Sequence, residues 1–329
     1  MTPDVRSRPD LLSAMGRWGL GTGPLGNLFA AIDDDRARRI VDASWDRGVR
    51  MFDTAPHYGL GLAERRLGDA LRDRPREQYV VSTKVGRLLV PNPGGAAQRD
   101  PGGFDVPANL ARRWDFSARG VRESWERSLE RLGLDAVDIL YLHDPDDHLD
   151  VAVNEALPAL VELREAGHVS AIGIGTTNAA AATRVVETGL ADVVMIAGRY
   201  TLLDRTASER LLPAALEHGV AVVAAGVYNS GILATRRPGP TSFYDYAPAS
   251  HEIIARATRL ADVCAAHGVE LSRAARVFAL RHPAVVSVVL GIGDPSQVPG
   301  SFDDDEPLPD ALWADLDAES RRDRTGGGA

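Results

Sequence analysis

The chain is almost without lysine. Of its 37 basic residues one, Lys84, is a lysine and the rest are arginines. An arginine serves as well on most solvated surfaces, but it stays protonated, whereas an ammonium is a compact charge that responds to its surroundings. An Arg-, Ala- and Gly-heavy composition also follows from GC-rich coding, so position must separate chance from need. Lys84 ends the apolar run YVVSTKVG, which reads as a buried strand. A charge there needs a partner or a task. Cysteine is equally scarce: Cys264 stands alone in LADVCAAHG, which excludes an internal disulfide and reads as a small core residue. No stretch approaches the ~18 apolar residues of a membrane-spanning helix. The start, MTPDVRSRPDLL, has no apolar core of a signal peptide, so a cytoplasmic location is expected. The net charge of −9 lacks the basic excess that a nucleic acid or an anionic membrane would favour as partner. No second carboxylate falls at glycosidase spacing and no metal-ligand cluster is visible, so no metal is expected.

What is present is an alternation. Strand candidates are WGLGTG (18–23), VRMFDT (49–54), YVVSTK (79–84), VDILYLH (137–143), VSAIGI (169–174), DVVMIA (192–197), GVAVVAA (219–225) and VVSVVLG (285–291). Helical patterns lie between them. One opens on the acidic cluster at Asp33, one covers Leu62 to Leu71, and one starts at a capping Ser117, with Val121, Trp125, Leu129 and Leu132 at helical spacing. Further helices are predicted over 151–166, 178–188, 205–217, 251–267 and 270–281. About eight β/α units in 329 residues predict an α/β fold of the (β/α)8 TIM-barrel type, as a single domain over 1–329. A dinucleotide-binding sheet would need Gly-x-Gly-x-x-Gly after the first strand, and GLGTGPLG has other spacing. The last residues, RRDRTGGGA (321–329), are expected to be a disordered tail.

Two long insertions, 86–115 and 228–250, follow the third and seventh strands. Both leave C-terminal strand ends, so both border the mouth of a barrel, and loops of this length are expected to wall a pocket. Strand ends two to four deliver Asp53, Lys84 and His143 to the same rim. Tyr58 lies five residues beyond Asp53, and His57 beside it is a rival base. Each has a plain alternative: a capped turn, a loop aromatic, a histidine satisfied by Asp144. Their convergence carries more weight than any one of them. A tyrosine has an ordinary pKa of about 10, and a neighbouring ammonium would lower it. Asp53 would hold Lys84 charged, Tyr58 would exchange a proton with a carbonyl or hydroxyl oxygen, and His143 would orient that oxygen. Such an exchange needs a hydride partner, for which a nicotinamide is the natural candidate.

On these residues the chain resembles the aldo-keto reductases over nearly its whole length. FDTAPHYGLGLAERRLG, STKVG and ILYLHDPD match the family's segments in order. The resemblance implies a catalytic tetrad of Asp53, Tyr58, Lys84 and His143 and a bound NAD(P)H across the mouth. WDFSARGVRESWERSLERLGLDAVDILYLHDPD, AGRYTLLD and YNSGIL resemble the aldose 1-dehydrogenase and pyridoxal 4-dehydrogenase branch. That branch implies oxidation of a cyclic hemiacetal to a lactone. Carried over residue by residue, the cofactor contacts are Gly21 and Thr22 at the nicotinamide end and Thr176 and Thr177, where many members have Ser-Asn. Asp53 borders the same end. Gly226, Tyr228, Asn229 and Gly231 fall over the pyrophosphate, and Gly291, Ser296 and Gln297 at the adenosine. Many members place a base near Gly293 to meet a 2′-phosphate. Here GIGDPSQV has none and carries Asp294, so NAD is expected over NADP unless Arg199 or Arg236 reaches in. Arg87, Trp114, Tyr228, Phe243 and Tyr244 are candidate substrate residues. Three readings compete: an NADPH-dependent aldehyde or ketone reductase of secondary metabolism, a cofactor-binding regulatory subunit without turnover, and a Schiff-base lyase or isomerase using Lys84.

Overall fold

Alternation of side chains decides the architecture. In β1 (Trp18–Gly21), β2 (Met51–Asp53), β3 (Val80–Val85), β6 (Ile139–His143), β7 (Ala171–Thr176), β8 (Val193–Ala197), β9 (Ala221–Ala225) and β12 (Val285–Gly291), one parity points inward and the other outward. Met51, Val80, Ile139, Ala171, Val193, Ala221 and Val289 form an inner cluster. Their neighbours Phe52, Val81, Leu140, Ile172, Val194, Val222 and Leu290 pack outward in the larger core under the helices. The structure, a computed structural model, describes residues 6–303 and 306–325. Among the described residues these eight strands close a parallel barrel in the order β1-β2-β3-β6-β7-β8-β9-β12, returning to β1. All eight strand candidates are strands, with ends shifted by at most two residues, and the (β/α)8 expectation holds.

Most helices follow the patterns read from the sequence. α2 (Asp34–Asp46) is capped by the Asp33 carboxylate, and α4 (Ala118–Leu132) by the Ser117 hydroxyl. Between them, α3 (Leu62–Leu71) follows β2. Later helices occupy Leu157–Glu165, Ala179–Glu187, Leu211–Glu217, His251–Ala266, Leu271–Phe278 and Asp310–Thr325. Residues 321–325, placed by composition in a disordered tail, continue the last helix; residues 326–329 lie outside the described residues.

Two helices escape the sequence reading: the last, Asp310–Thr325, and one near the start of the chain. α1 (Arg8–Met15), capped by Ser7, sets Leu11 and Met15 fully buried into the inner cluster. It closes the N-terminal end of the barrel, so the opposite end is the open one. There the two insertions are not plain loops. The first folds back as β4 (Arg87–Pro91) against β5 (Leu110–Trp114), pairing Arg87 with Trp114. The second carries a small hairpin of β10 (Phe243–Tyr244) and β11 (Ala247–Pro248). Asp245 and Tyr246, both at positive φ, make its two-residue turn.

Candidate active site

Parity brings the inward residues of three neighbouring strands to one spot. Asp53 is two residues beyond Met51, Lys84 four beyond Val80, and His143 four beyond Ile139, all on the inner face. Lys84 Nζ donates to Asp53 Oδ2 at 2.6 Å, to the Thr54 carbonyl at 2.9 Å and to Tyr58 Oη at 3.1 Å. Ser82 Oγ donates to the other Asp53 oxygen at 2.7 Å. Lys84 and Asp53 are 2% and 3% exposed, so each charge depends on the other. Outward from the same strand, Thr83 donates to the fully buried Glu64 of α3 at 2.8 Å, whose second oxygen takes Arg131 Nε at 2.5 Å. That tie fixes β3 against the helical layer. Tyr58 is set by two glycines: a Cβ on Gly59 would stand 2.3 Å from the Gly26 carbonyl oxygen, and one on Gly26 would stand 2.6 Å from the Tyr58 carbonyl carbon. Only bare backbone lets the loops after β1 and β2 touch there.

The electrostatics correct one expectation. Burial pushes the Tyr58 phenol up to about 12, against the opposing pull of Lys84. The ammonium acts in the direction foreseen, but desolvation outweighs it, and Tyr58 stands as a neutral phenol. For Lys84 the balance runs the other way. Burial works against its charge, yet Asp53 and Tyr58 together hold it above the ordinary lysine range. The His143 ring lies edge-on to Tyr58, centroids 5.9 Å apart. Burial, then Arg87 and Lys84, keep it well below the usual histidine range. His57, the rival base, packs 5.5 Å from the His143 ring and is driven down to about 2 by burial and three cations. Both imidazoles are therefore neutral.

The cofactor candidates divide. Gly21 pairs in register with Asp53 on one side and Gly291 on the other, so two bare glycines continue the rim beside the ion pair. Thr22 donates its backbone N–H to the Asp53 carbonyl at 2.9 Å and keeps a buried Oγ1 without a partner among the described residues. Thr176 Oγ1 accepts from the Asn178 N–H at 3.0 Å, and the Thr177 carbonyl accepts from Arg199 Nε at 2.9 Å. Gly226, Asn229 and Gly231 all adopt positive φ. Asn229 donates to the Gly198 carbonyl at 3.2 Å, while its buried Oδ1 has no partner among the described residues. Tyr228 packs against the outer core. Ser296 and Gln297 form a capping turn, with Ser296 bonded to Asp294 and Gln297 Oε1 accepting from the Gly293 and Asp294 N–H groups.

Of the substrate candidates, Arg87 and Trp114 reach the mouth together, the guanidinium 4.3 Å above the indole. Phe243 meets Phe29 at 6.0 Å. Tyr244 turns aside and donates to Asp204 at 3.4 Å. Its neighbour Tyr246, not singled out as a site residue, is the one at the hairpin tip. It stacks on Phe29 at 6.3 Å and lies within electrostatic reach of Lys84 and Asp144. Phe104, from the first insertion, packs on His57 and Tyr58. Neither contact has a local sequence signal, because both join segments far apart in the chain. Asp144, which the sequence offers only as a partner for His143, lies at φ 39, and its Oδ2 sits 2.5 Å from Arg87 Nη2.

This rim suits a nicotinamide. A side-chain-free strip at Gly21 and Gly291 adjoins the acid–base cluster, and the buried Thr22 Oγ1 and Asn229 Oδ1 retain unspent hydrogen-bonding capacity. Among the described residues no group of three or more His, Cys, Asp or Glu could hold a metal ion, and no helix is long and apolar enough to cross a membrane.

Comparison with known proteins agrees with the site. The Aldo/keto reductase family model matches residues 15–319. D-threo-aldose 1-dehydrogenase from a Pseudomonas species is 47% identical over 311 residues, covering 92% of this chain and 93% of that protein. Pyridoxal 4-dehydrogenase from Microbacterium luteolum is 40% identical over 321 residues, with 92% and 93% covered. The glycerol dehydrogenase of Gluconobacter oxydans superposes with a TM-score of 0.75 at 25% identity, over 93% of this chain and 91% of that one. The chain belongs to the aldo/keto reductase family. It is an oxidoreductase that acts on a small molecule at a carbonyl or CH–OH carbon with a nicotinamide cofactor, NAD(P)(H).

Proposed function

We propose that this enzyme oxidises an aldose-like cyclic hemiacetal to a lactone, with Asp53, Tyr58, Lys84 and His143 as its acid–base group. The observation that carries the reading is the contact of one ammonium, Lys84 Nζ, with both the Asp53 carboxylate and the Tyr58 phenol. The two curated relatives named above, one an aldose 1-dehydrogenase, support the substrate class. Tyr58 takes the proton of the C1 hydroxyl in oxidation and returns it in reduction. Lys84 stabilises the phenolate form, and Asp53 keeps Lys84 charged and in place. Neutral His143 orients the substrate oxygen by a hydrogen bond. The bound nicotinamide supplies or receives the hydride. Gly21, Thr22, Gly226, Asn229, Gly231 and Gly291 would hold it, with Thr176 and Thr177 beside them and Ser296 and Gln297 shaping the adenosine end.

We favour NAD over NADP. Arg36 reaches that end and is committed: Nη2 pairs with Asp294 at 2.8 Å and Nε donates to the Gly293 carbonyl at 3.1 Å. A 2′-phosphate would meet the Asp294 carboxylate and have to break that pair. Arg199 is forked onto Asp245, and Arg236 pairs with Glu270. We also favour a single catalytic domain and a cytoplasmic location; for the latter, Cys264 is fully buried and can form no disulfide within the chain.

The test is reduced-nicotinamide absorbance with NAD+ and NADP+ against aldoses, beside the reverse assay with aldehydes. Turnover is expected with an aldose and NAD+. Tyr58→Phe should abolish it with cofactor binding retained, and Lys84→Arg should cripple it although charge is kept. Unchanged turnover in Tyr58→Phe would remove the acid–base assignment. Turnover confined to NADPH with aldehydes or ketones would overturn the substrate, direction and cofactor parts together.

A further inference from the structure

The strands that deliver Lys84 and His143 continue into a second charged pair. Three residues beyond Lys84, Arg87 opens the β4 hairpin arm. One residue beyond His143, Asp144 leaves β6 at φ 39, a left-handed conformation that a non-glycine residue holds at a cost. The two meet at 2.5 Å, and the same Asp144 oxygen lies 3.5 Å from His143 Nε2. Arg87 is 9% exposed, and its buried Nε has no hydrogen-bond partner among the described residues. Its guanidinium covers one face of Trp114, which is itself 43% exposed. A stability role alone explains this poorly. A desolvated ion pair at an opening is at best neutral for folding, and backbone strain tends to gather at functional sites.

Building on the aldose reading, we propose that Arg87 and Asp144 are the specificity-determining pair, recognising neighbouring hydroxyls of an uncharged substrate that lies along Trp114. A hydroxyl both donates and accepts, so a carboxylate beside a guanidinium offers a complementary edge to two adjacent hydroxyls. An indole face suits the apolar C–H face of a sugar ring. The pair is neutral as a whole, which separates it from an anion site. Other guanidiniums on this rim are matched too: Arg112 is bidentate on Asp100 and Arg199 is forked onto Asp245. A phosphate or carboxylate on the substrate would find no uncommitted cation among these three, and would face Asp144.

The experiment compares wild type, Arg87→Met and Asp144→Asn on a free aldose, the same aldose as its 6-phosphate, and a simple aliphatic aldehyde in the reverse assay. Aldose binding is read separately by calorimetry, and fold by thermal melting. Wild type should prefer the free sugar to its phosphate. Arg87→Met should raise KM and Kd for the aldose by about tenfold or more, the loss expected for a charged hydrogen bond, and should cost aldehyde reduction several-fold less than aldose oxidation. Asp144→Asn should narrow the discrimination against the phosphate, because Arg87 is left without its carboxylate. Equal loss on aldose and aldehyde would overturn the assignment and leave the pair as support for His143. So would a wild type that accepts the phosphate as readily as the free sugar. A wild type that reduces the aldehyde but ignores every aldose overturns the parent reading and this one with it; unchanged aldose kinetics in Arg87→Met overturn this one alone.

Discussion

At the scale of single residues, Tyr58 is a contest between two effects. Removal from water favours the neutral phenol, and the ammonium 3.1 Å away favours the phenolate. Burial wins, and the phenol rises to about 12. The two directions of reaction then differ in pH dependence. In the role proposed for Tyr58, oxidation needs the deprotonated form, whose fraction grows with pH up to the raised pKa, and reduction needs the phenol, present throughout the neutral range. We expect kcat/KM for oxidation to climb about tenfold per pH unit between roughly pH 7 and 9, with reduction nearly flat. Stopped-flow or steady-state rates in both directions check this. A flat oxidation profile would mean that Tyr58 is already ionised in the working complex, or that another group takes the proton. The four residues were legible because parity along β2, β3 and β6 sends three of them to one rim. The balance at Tyr58 was not. It depends on Phe104 and Tyr246, whose positions come from hairpins folded back from far along the chain.

At the scale of elements, the site is only as fixed as the layer behind it. β3 is tied to α3 through Thr83 and Glu64, and α3 is held against α4 by a close approach at Gly68. A Cβ on Gly68 would stand 2.0 Å from the Leu132 carbonyl oxygen at the end of α4, and the obstacle is backbone, which cannot swing aside. Gly68→Ala would raise the intrinsic helix propensity of α3, yet we expect it to destabilise by about 1–3 kcal/mol through overpacking. A lowered midpoint in urea or thermal unfolding checks this; a midpoint raised by the better helix former would show that α3 and α4 can separate at little cost. Barrel strands and outer helices were readable because each carries a strong period, two or 3.6, over its length. α1, the last helix (Asp310–Thr325) and the two hairpins were not. α1 is eight residues with little amphipathic contrast, and it is positioned by the barrel floor that it closes. The hairpin of β4 and β5 is separated by 18 residues rich in Pro and Gly, and β10 and β11 are two residues each. The first pairing spans a long gap, and strands as short as those of the second carry no period to reveal it.

At the scale of the whole molecule, the scarcity of lysine acquires a chemical meaning. Aldehydes condense with unprotonated primary amines. This chain's one side-chain amine is 2% exposed, paired with Asp53, and held protonated above the ordinary lysine range. Its surface cations are arginines, which form no simple Schiff base. Whatever coding bias produced it, the result is an oxidoreductase of carbonyl chemistry that offers its substrates almost no amine outside the site. The same fact separates a nicotinamide enzyme from a Schiff-base enzyme, since only the latter needs Lys84 as a free nucleophile. Native protein treated with a small aldehyde and cyanoborohydride should therefore gain no adduct at Lys84, any mass increase mapping to the α-amino group. After unfolding in urea, which frees Lys84 from Asp53 and returns it to water, the Lys84 adduct should appear in the peptide map. Labelling of Lys84 in the folded protein at the rate seen in urea would mean that its amine is neutral and accessible. In that case the ion pair with Asp53 could not be the resting state, and the role of Lys84 beside Tyr58 would have to be given up.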